Sequence, residues 1–249
     1  MTSPDRKSDL SLRALLSSGG SLGSRRSDMK PTTNLATATT PDGASLMLQE
    51  HDGEFFLKVA GVPLMSTTAC SSEQTMSELA CENVGEDPVI LIGGLGFGFT
   101  LRRVLELVGK EATVEVSELL PIIVQWNREY LGSINGTLLD DPRTVVKERD
   151  VYDLIKEGPG RYDAILLDVD NSPDPLVDEG NSRLYDRRGV SLVARALRPG
   201  GRVIYWSAHP DKAFSKSLER DFKNVQAIPA KAYPKAKRFT HTLFVGDRK

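Results

Sequence analysis

The chain is poor in cysteine. Its 249 residues include two, Cys70 and Cys81, too few for a disulfide framework and without the partners of a cysteine metal site. Both read as small buried hydrophobes in a reducing cytosol. No apolar run approaches the roughly 20 residues that a membrane-spanning helix needs, so the expectation is a soluble, cytoplasmic protein with no membrane contact. A large charge of one sign is also missing: 32 Lys and Arg stand against 34 Asp and Glu, for a formal net charge of -2. Such a balance gives no general attraction for nucleic acid or an anionic surface, and the expected partner is a small molecule. Histidine is scarce, with three in all. His51 falls in a turn and His241 in a strand, neither with companions at ligand spacing, so no metal is expected.

Hydrophobic residues make up 39% and charged residues 27%, ordinary values for a folded soluble domain. Residues 1–43 are the exception, rich in Ser, Thr and Arg with few large apolar groups. Such a segment buries too little surface to offset its ordering entropy and is expected to be a disordered tail. Residues 44–84 read as a small β-hairpin unit followed by a helix. "ASLMLQEHDGEFFLKVAGVPLMS" alternates apolar with polar residues around tight turns at Asp52-Gly53 and Gly61. The helix "SSEQTMSELAC" opens with Ser71 and Gln74 in capping-box spacing.

From residue 85 to 249 the pattern changes. Short all-apolar runs, "VILI" (89–92), "TVEVS" (113–117), "TVVKE" (144–148), "AILLDV" (164–169) and "RVIYWS" (202–207), alternate with helical periodicity. Strands apolar on both faces and separated by amphipathic helices predict a doubly wound, mostly parallel α/β sheet of the nucleoside-binding kind. A last pair of strands, about 224–231 and 239–246, is expected to close one sheet edge as an antiparallel hairpin.

"VILIGGLGFGFTLRRVLELVG" places four glycines, Gly93, Gly94, Gly96 and Gly98, between the first apolar strand and a helix, and a fifth, Gly109, just after that helix. Gly94, Gly96 and Gly98 allow a sharp bend that exposes backbone N–H groups and admits a ligand closely. The G-x-G-x-x-G dinucleotide spacing would need glycine where Phe99 stands, and no G-x-x-x-x-G-K-[ST] occurs. The bend therefore suits a nucleoside with a methionyl tail, as in adenosylmethionine enzymes, or is a turn without a ligand. Three acids follow strand ends on the same side. Glu118, 24 positions after Gly94, is placed to accept both ribose hydroxyls, Asp150 to accept an adenine amino group, and Asp168 precedes the acidic loop "VDNSPDPLVDEGN".

At these residues the sequence resembles the spermidine synthase-like (polyamine aminopropyltransferase) branch of the class I adenosylmethionine-dependent methyltransferase fold. The likeness runs over roughly residues 45–245. It is carried by "IGGLGFGFTLRRVLE", "SELLPIIVQWNREYL", "DDPRTVVKERDVYDLI", "RYDAILLDVDNSPDP" and "LYDRRGVSLVARALRPGG". It implies a seven-stranded sheet, Glu118 on ribose, Asp150 and Val151 on adenine, and Asp168 as the amine-activating acid. A homodimer through the hairpin unit is implied as well. Departures cluster in the amine half of the site. Phe97 stands where the family's glycine loop carries an Asp, Asp168-Val169-Asp170-Asn171 replaces D-S-S-D, and Thr75 and Met76 align with a Tyr-His pair.

The expected chemistry is displacement at a carbon bonded to a sulfonium, with adenosylmethionine or its decarboxylated form as co-substrate and a small amine as acceptor. Asp168 would take the proton of that amine, while Asp170 and Asn171 would hold its other end. Methyl transfer to a small molecule, a non-catalytic nucleoside-binding protein and an RNA methyltransferase stand as alternatives. Trp206 and His209 sit at the carboxyl end of the fifth strand, with His209 either a proton acceptor or a surface residue. The basic turn "KAYPKAKR" (231–238) is expected to be a solvated hairpin tip.

Overall fold

The computed structural model describes residues 31–169 and 179–249, and the residues from Thr32 to Lys249 form one compact unit. An antiparallel sheet comes first, with strands β1 (Thr33–Thr39), β2 (Ser45–His51), β3 (Glu54–Val59) and β4 (Val62–Ser66) in that spatial order. Asp52 (φ 53°) and Gly53 (φ 82°) make a two-residue turn in the left-handed region, and Ala60 (φ 48°) and Gly61 (φ 81°) make another. Paired positive φ angles match the twist of the flanking strands. Leu46, Leu48, Phe55, Leu57 and Val59 alternate onto the buried face.

β1 corrects the expectation of a disordered tail to residue 43. "TNLATAT" offers little apolar bulk, yet it pairs antiparallel with β2 from Thr33 opposite Glu50 to Thr39 opposite Ser45. Leu35, Ala36 and Ala38 pack against the core. The edge of β2 supplies the backbone partners that the composition could not reveal. Residues 1–30 of the expected tail lie outside the described residues.

Helix α1 (Ser71–Cys81) leads from this sheet to the larger one. Its expected capping box is not made: Ser71 is already helical, no side chain caps the first turn, and Gln74 N–H reaches the Cys70 carbonyl at 3.2 Å. The helix is held by tertiary contacts instead. Ser71 N–H donates to the Ala232 carbonyl (3.1 Å) and Ser77 Oγ to the Thr100 carbonyl (3.2 Å). Arg202 reaches the Leu79 carbonyl and Glu82 (both 2.8 Å) while also gripping Asp247.

The larger sheet has seven strands. β5 (Val89–Gly93), β6 (Thr113–Ser117), β7 (Thr144–Lys147) and β8 (Tyr162–Leu167) run parallel with β9 (Leu197–Ser207), and β11 (His241–Arg248) lies antiparallel between β9 and β10 (Phe222–Ala230), in the order β10-β11-β9-β8-β5-β6-β7. The seven-stranded, mostly parallel fold expected from the sequence is present. Between the strands lie α2 (Phe99–Leu107), α3 (Pro121–Glu129), α4 (Gly132–Asn135), α5 (Val151–Glu157), α6 (Arg187–Ala196) and α7 (Lys212–Leu218). Two apolar clusters, one around Ile90, Ile92 and Val116 and the other around Leu91, Ile165 and Val203, fill the two faces. The winding reverses between β5 and β8, which are hydrogen-bonded neighbours; a crevice at their carboxyl ends is where this architecture binds ligands.

One charged residue interrupts the buried strands. Glu115, in the middle of β6, is 2% exposed; it pairs with Arg161 and accepts from Tyr162 Oη at 3.0 Å. A buried carboxylate stripped of a donor carries its desolvation cost. Tyr162→Phe is therefore expected to lower unfolding stability by about 1.5–3 kcal/mol in urea titration, with an unchanged denaturant slope.

Candidate active site

The glycine bend follows β5 directly. Gly94, Gly96 and Gly98 have φ of 91°, 51° and 78°, the left-handed region that side chains rarely occupy. A Cβ at Gly94 would lie 2.2 Å from the Asp168 carbonyl oxygen. Bare backbone there lets the loops after β5 and β8 touch.

Three of the bend's N–H groups, expected to be exposed, already have partners within the protein. Gly94 N–H donates to the Ser117 carbonyl (2.8 Å), Leu95 N–H to Glu118 Oε2 (3.0 Å), and Gly98 N–H to the Leu95 carbonyl (2.8 Å). Glu118 Oε1 accepts from Leu120 N–H at 2.9 Å. The carboxylate thus has one oxygen bonded to the bend and the other to the start of α3. Burial raises the Glu118 pKa, and the N–H groups of Leu120, Leu95, Gly96 and Leu119 counter that rise. On the far side, Asn127 Nδ2 donates to the Gly96 carbonyl (2.8 Å) and Asn135 Nδ2 to the Phe97 carbonyl (2.9 Å). Trp126 beside it belongs to the core.

One cavity of about 180 Å³ brings these elements together. Gly94 and Gly96, Glu118, Asp150 and Val151, Asp168 and Trp206 all line it, and Leu46, Leu57, Leu64 and Met65 of the antiparallel sheet form an apolar wall. Gly98 stands just behind the lining as the left-handed residue before α2. Asp150 has a second duty. Its Oδ1 caps α5 by accepting from Tyr152 N–H at 2.8 Å, and its Oδ2 pairs with Arg183. Arg183 also stacks 4.3 Å from the Tyr152 ring centroid. Asp170 and Asn171 lie outside the described residues.

Asp168 follows β8 and accepts from Thr100 Oγ1 at 3.2 Å. Burial pushes its pKa up to about 6. Beside it in the cavity wall is Glu73 of α1, a residue that the sequence reading passed over. Burial, and then the charge of Asp168, push Glu73 up to about 7, while Ser72 Oγ, at 2.6 Å, stabilises its charged form. The signal was available: Glu73 shares the buried stripe of α1 with Met76, Ser77 and Ala80, and an acid on such a stripe has a reason to be there. Thr75 and Met76 contribute no such group, since Thr75 Oγ1 donates to the Ser71 carbonyl and Met76 is fully buried. Phe97 is buried against the core, 6.5 Å edge-on to Phe99. His209 is exposed. His241 stacks on Trp206 with centroids 4.7 Å apart, and burial lowers its pKa.

The cavity lies at the strand-order reversal, where doubly wound α/β folds bind their ligands. A family model described as the spermine/spermidine synthase domain matches residues 64–237; the chain belongs to that family. It is 32% identical over 129 residues to a polyamine aminopropyltransferase of Mycobacterium tuberculosis (strain CDC 1551 / Oshkosh), covering 51% of this chain and 24% of that protein. Over 150 residues it is 32% identical to polyamine aminopropyltransferase 1 of Hyperthermus butylicus, covering 58% and 48%. The chain thus matches about a quarter to a half of the length of these relatives. A crystal structure of spermidine synthase in complex with the transition state analogue AdoDATO superposes with a TM-score of 0.70 at 15% identity, over 87% of this chain and 72% of that one. Spermidine synthase from Thermotoga maritima gives 0.69 at 17%, with the same coverage. These likenesses establish the fold.

The acid pair has a consequence for stability. A carboxyl whose pKa is raised by folding binds protons that the unfolded chain has released, so stability falls as pH rises from about 4 to about 7. Glu73→Gln removes one of the two groups. The variant is expected to be more stable than the parent at pH 8, with the difference vanishing near pH 4; thermal melts across that range measure it.

Proposed function

We propose that the chain is a spermidine synthase-like transferase that binds decarboxylated adenosylmethionine and passes its aminopropyl group to a small amine. One observation carries the reading: the glycine bend, Glu118, Asp150 and Asp168 line a single cavity at the strand-order reversal. In this reading Glu118 accepts the ribose hydroxyls. Asp150 and Val151 border the adenine, and Leu95 and the bend lie along the sugar and tail.

The acceptor nitrogen attacks the propyl carbon bonded to the sulfonium; a C–N bond forms, the C–S bond breaks, and the electron pair leaves on sulfur as a neutral thioether. An alkylamine has an intrinsic pKa near 10, so it must shed a proton to attack. Asp168, raised by burial toward neutrality, is suited to receive that proton. Asp170 and Asn171 remain candidates for holding the acceptor's other end. Small-molecule action in the cytoplasm as a homodimer, without nucleic acid or membrane, completes the proposal.

Methyl transfer from intact adenosylmethionine is the second reading. The buried Phe97, in place of a loop acid, favours it by leaving the bend without a group for the aminopropyl ammonium. Product analysis with putrescine and each donor separates the two: N-aminopropyl product supports the first reading and N-methyl product the second. Asp168→Asn is expected to lower kcat by about 10²–10⁴ while methylthioadenosine still raises the melting temperature. A variant with parental kcat would remove Asp168 from the chemistry. Because the base must be ionised, kcat/KM of the parent is expected to rise with pH through about 6 to 7.

A further inference from the structure

We propose that Glu73, reaching the cavity from α1, is a substrate-binding carboxylate that joins Asp168 in receiving a primary ammonium group. The inference rests on the transferase reading and adds a residue to it. Placement comes first. α1 is pinned at both ends, by Ser71 to the Ala232 carbonyl and by Arg202 to the Leu79 carbonyl, and Ser77 ties its middle to Thr100. Thr100 in turn holds Asp168. The two acids, one on α1 and one at the end of β8, are therefore tied to each other through Thr100.

Charge balance comes second. Among the described residues no Lys or Arg pairs with Glu73 or Asp168; the only side-chain donors to them are the hydroxyls of Ser72 and Thr100. The one arginine in the cavity lining, Arg149, is engaged with Glu157 at 2.8 and 3.0 Å. Two carboxylates kept together with so few donors are costly in the empty protein. A cation entering the cavity relieves that cost, and it displaces the proton that the pair otherwise retains.

Shape comes third. Leu46, Leu57, Leu64 and Met65 furnish an apolar wall to the same cavity, which suits a methylene chain ending in –NH₃⁺ better than a compact or aromatic cation. Such a group has two sources: the amine-bearing tail of the donor nucleoside, or a free acceptor amine.

Calorimetric titration of the full chain and its Glu73→Gln variant with three probes tests this. Methylthioadenosine carries the nucleoside without an ammonium, decarboxylated adenosylmethionine carries both, and putrescine carries ammonium groups alone. Glu73→Gln is expected to leave methylthioadenosine affinity within about twofold and to weaken at least one ammonium probe by about tenfold or more, the loss of a charge-assisted hydrogen bond. Weakening confined to the nucleoside amine assigns Glu73 to the donor tail, and weakening of putrescine assigns it to the acceptor. Unchanged affinity for both ammonium probes, or equal weakening of methylthioadenosine, overturns the inference. If methylthioadenosine fails to bind the parent while putrescine binds in a Glu73-dependent way, the nucleoside reading fails and the inference stands. Binding of none of the three overturns both.

Discussion

The contact on which the site depends is between backbone and backbone. Gly94 lies so close to the Asp168 carbonyl that a single Cβ would overlap it, and its left-handed φ is one that glycine alone adopts cheaply. This approach joins the carboxyl ends of β5 and β8, the two strands between which the sheet reverses its winding. The bend then presents Leu95 N–H to Glu118, which fixes the second acid. Asp168 and Glu118 are thus located by main-chain geometry before any ligand arrives, the kind of preorganisation that binding and catalysis both reward.

The helix before the sheet completes the cavity. α1 has no side-chain cap and is held by contacts to Thr100, Ala232 and Arg202, drawn from three separate parts of the chain. Glu73 gains its position from those distant partners. Placing a second carboxyl beside Asp168 opposes stability, since burial and mutual repulsion both disfavour the charged forms. Groups held in such disfavoured states concentrate at functional sites.

What the sequence made legible follows from locality. The bend between "VILI" and "FTLRRVLE" and the acids at 118, 150 and 168 could be read because a parallel strand's end fixes where the next residues must lie. The Asp52-Gly53 turn was legible for the same reason. β1 was not, because "TNLATAT" becomes a strand through the edge of β2 rather than through its own apolar content. Nor was the pairing of Asp150 with Arg183, which are 33 positions apart, or the role of Glu118 as acceptor for the bend. Glu115 interrupts an otherwise apolar strand and finds Arg161 and Tyr162 only after β6 and β8 are brought into one sheet. Each of these depends on a partner that folding delivers.

A crystal structure with methylthioadenosine bound tests the central claim most directly. The account predicts both ribose hydroxyls within hydrogen-bonding distance of Glu118, with the adenine beside Asp150 and Val151 and the sulfur facing Asp168. A nucleoside seated away from the Gly94 to Gly98 bend, or turned so that Glu118 meets no hydroxyl, would contradict it.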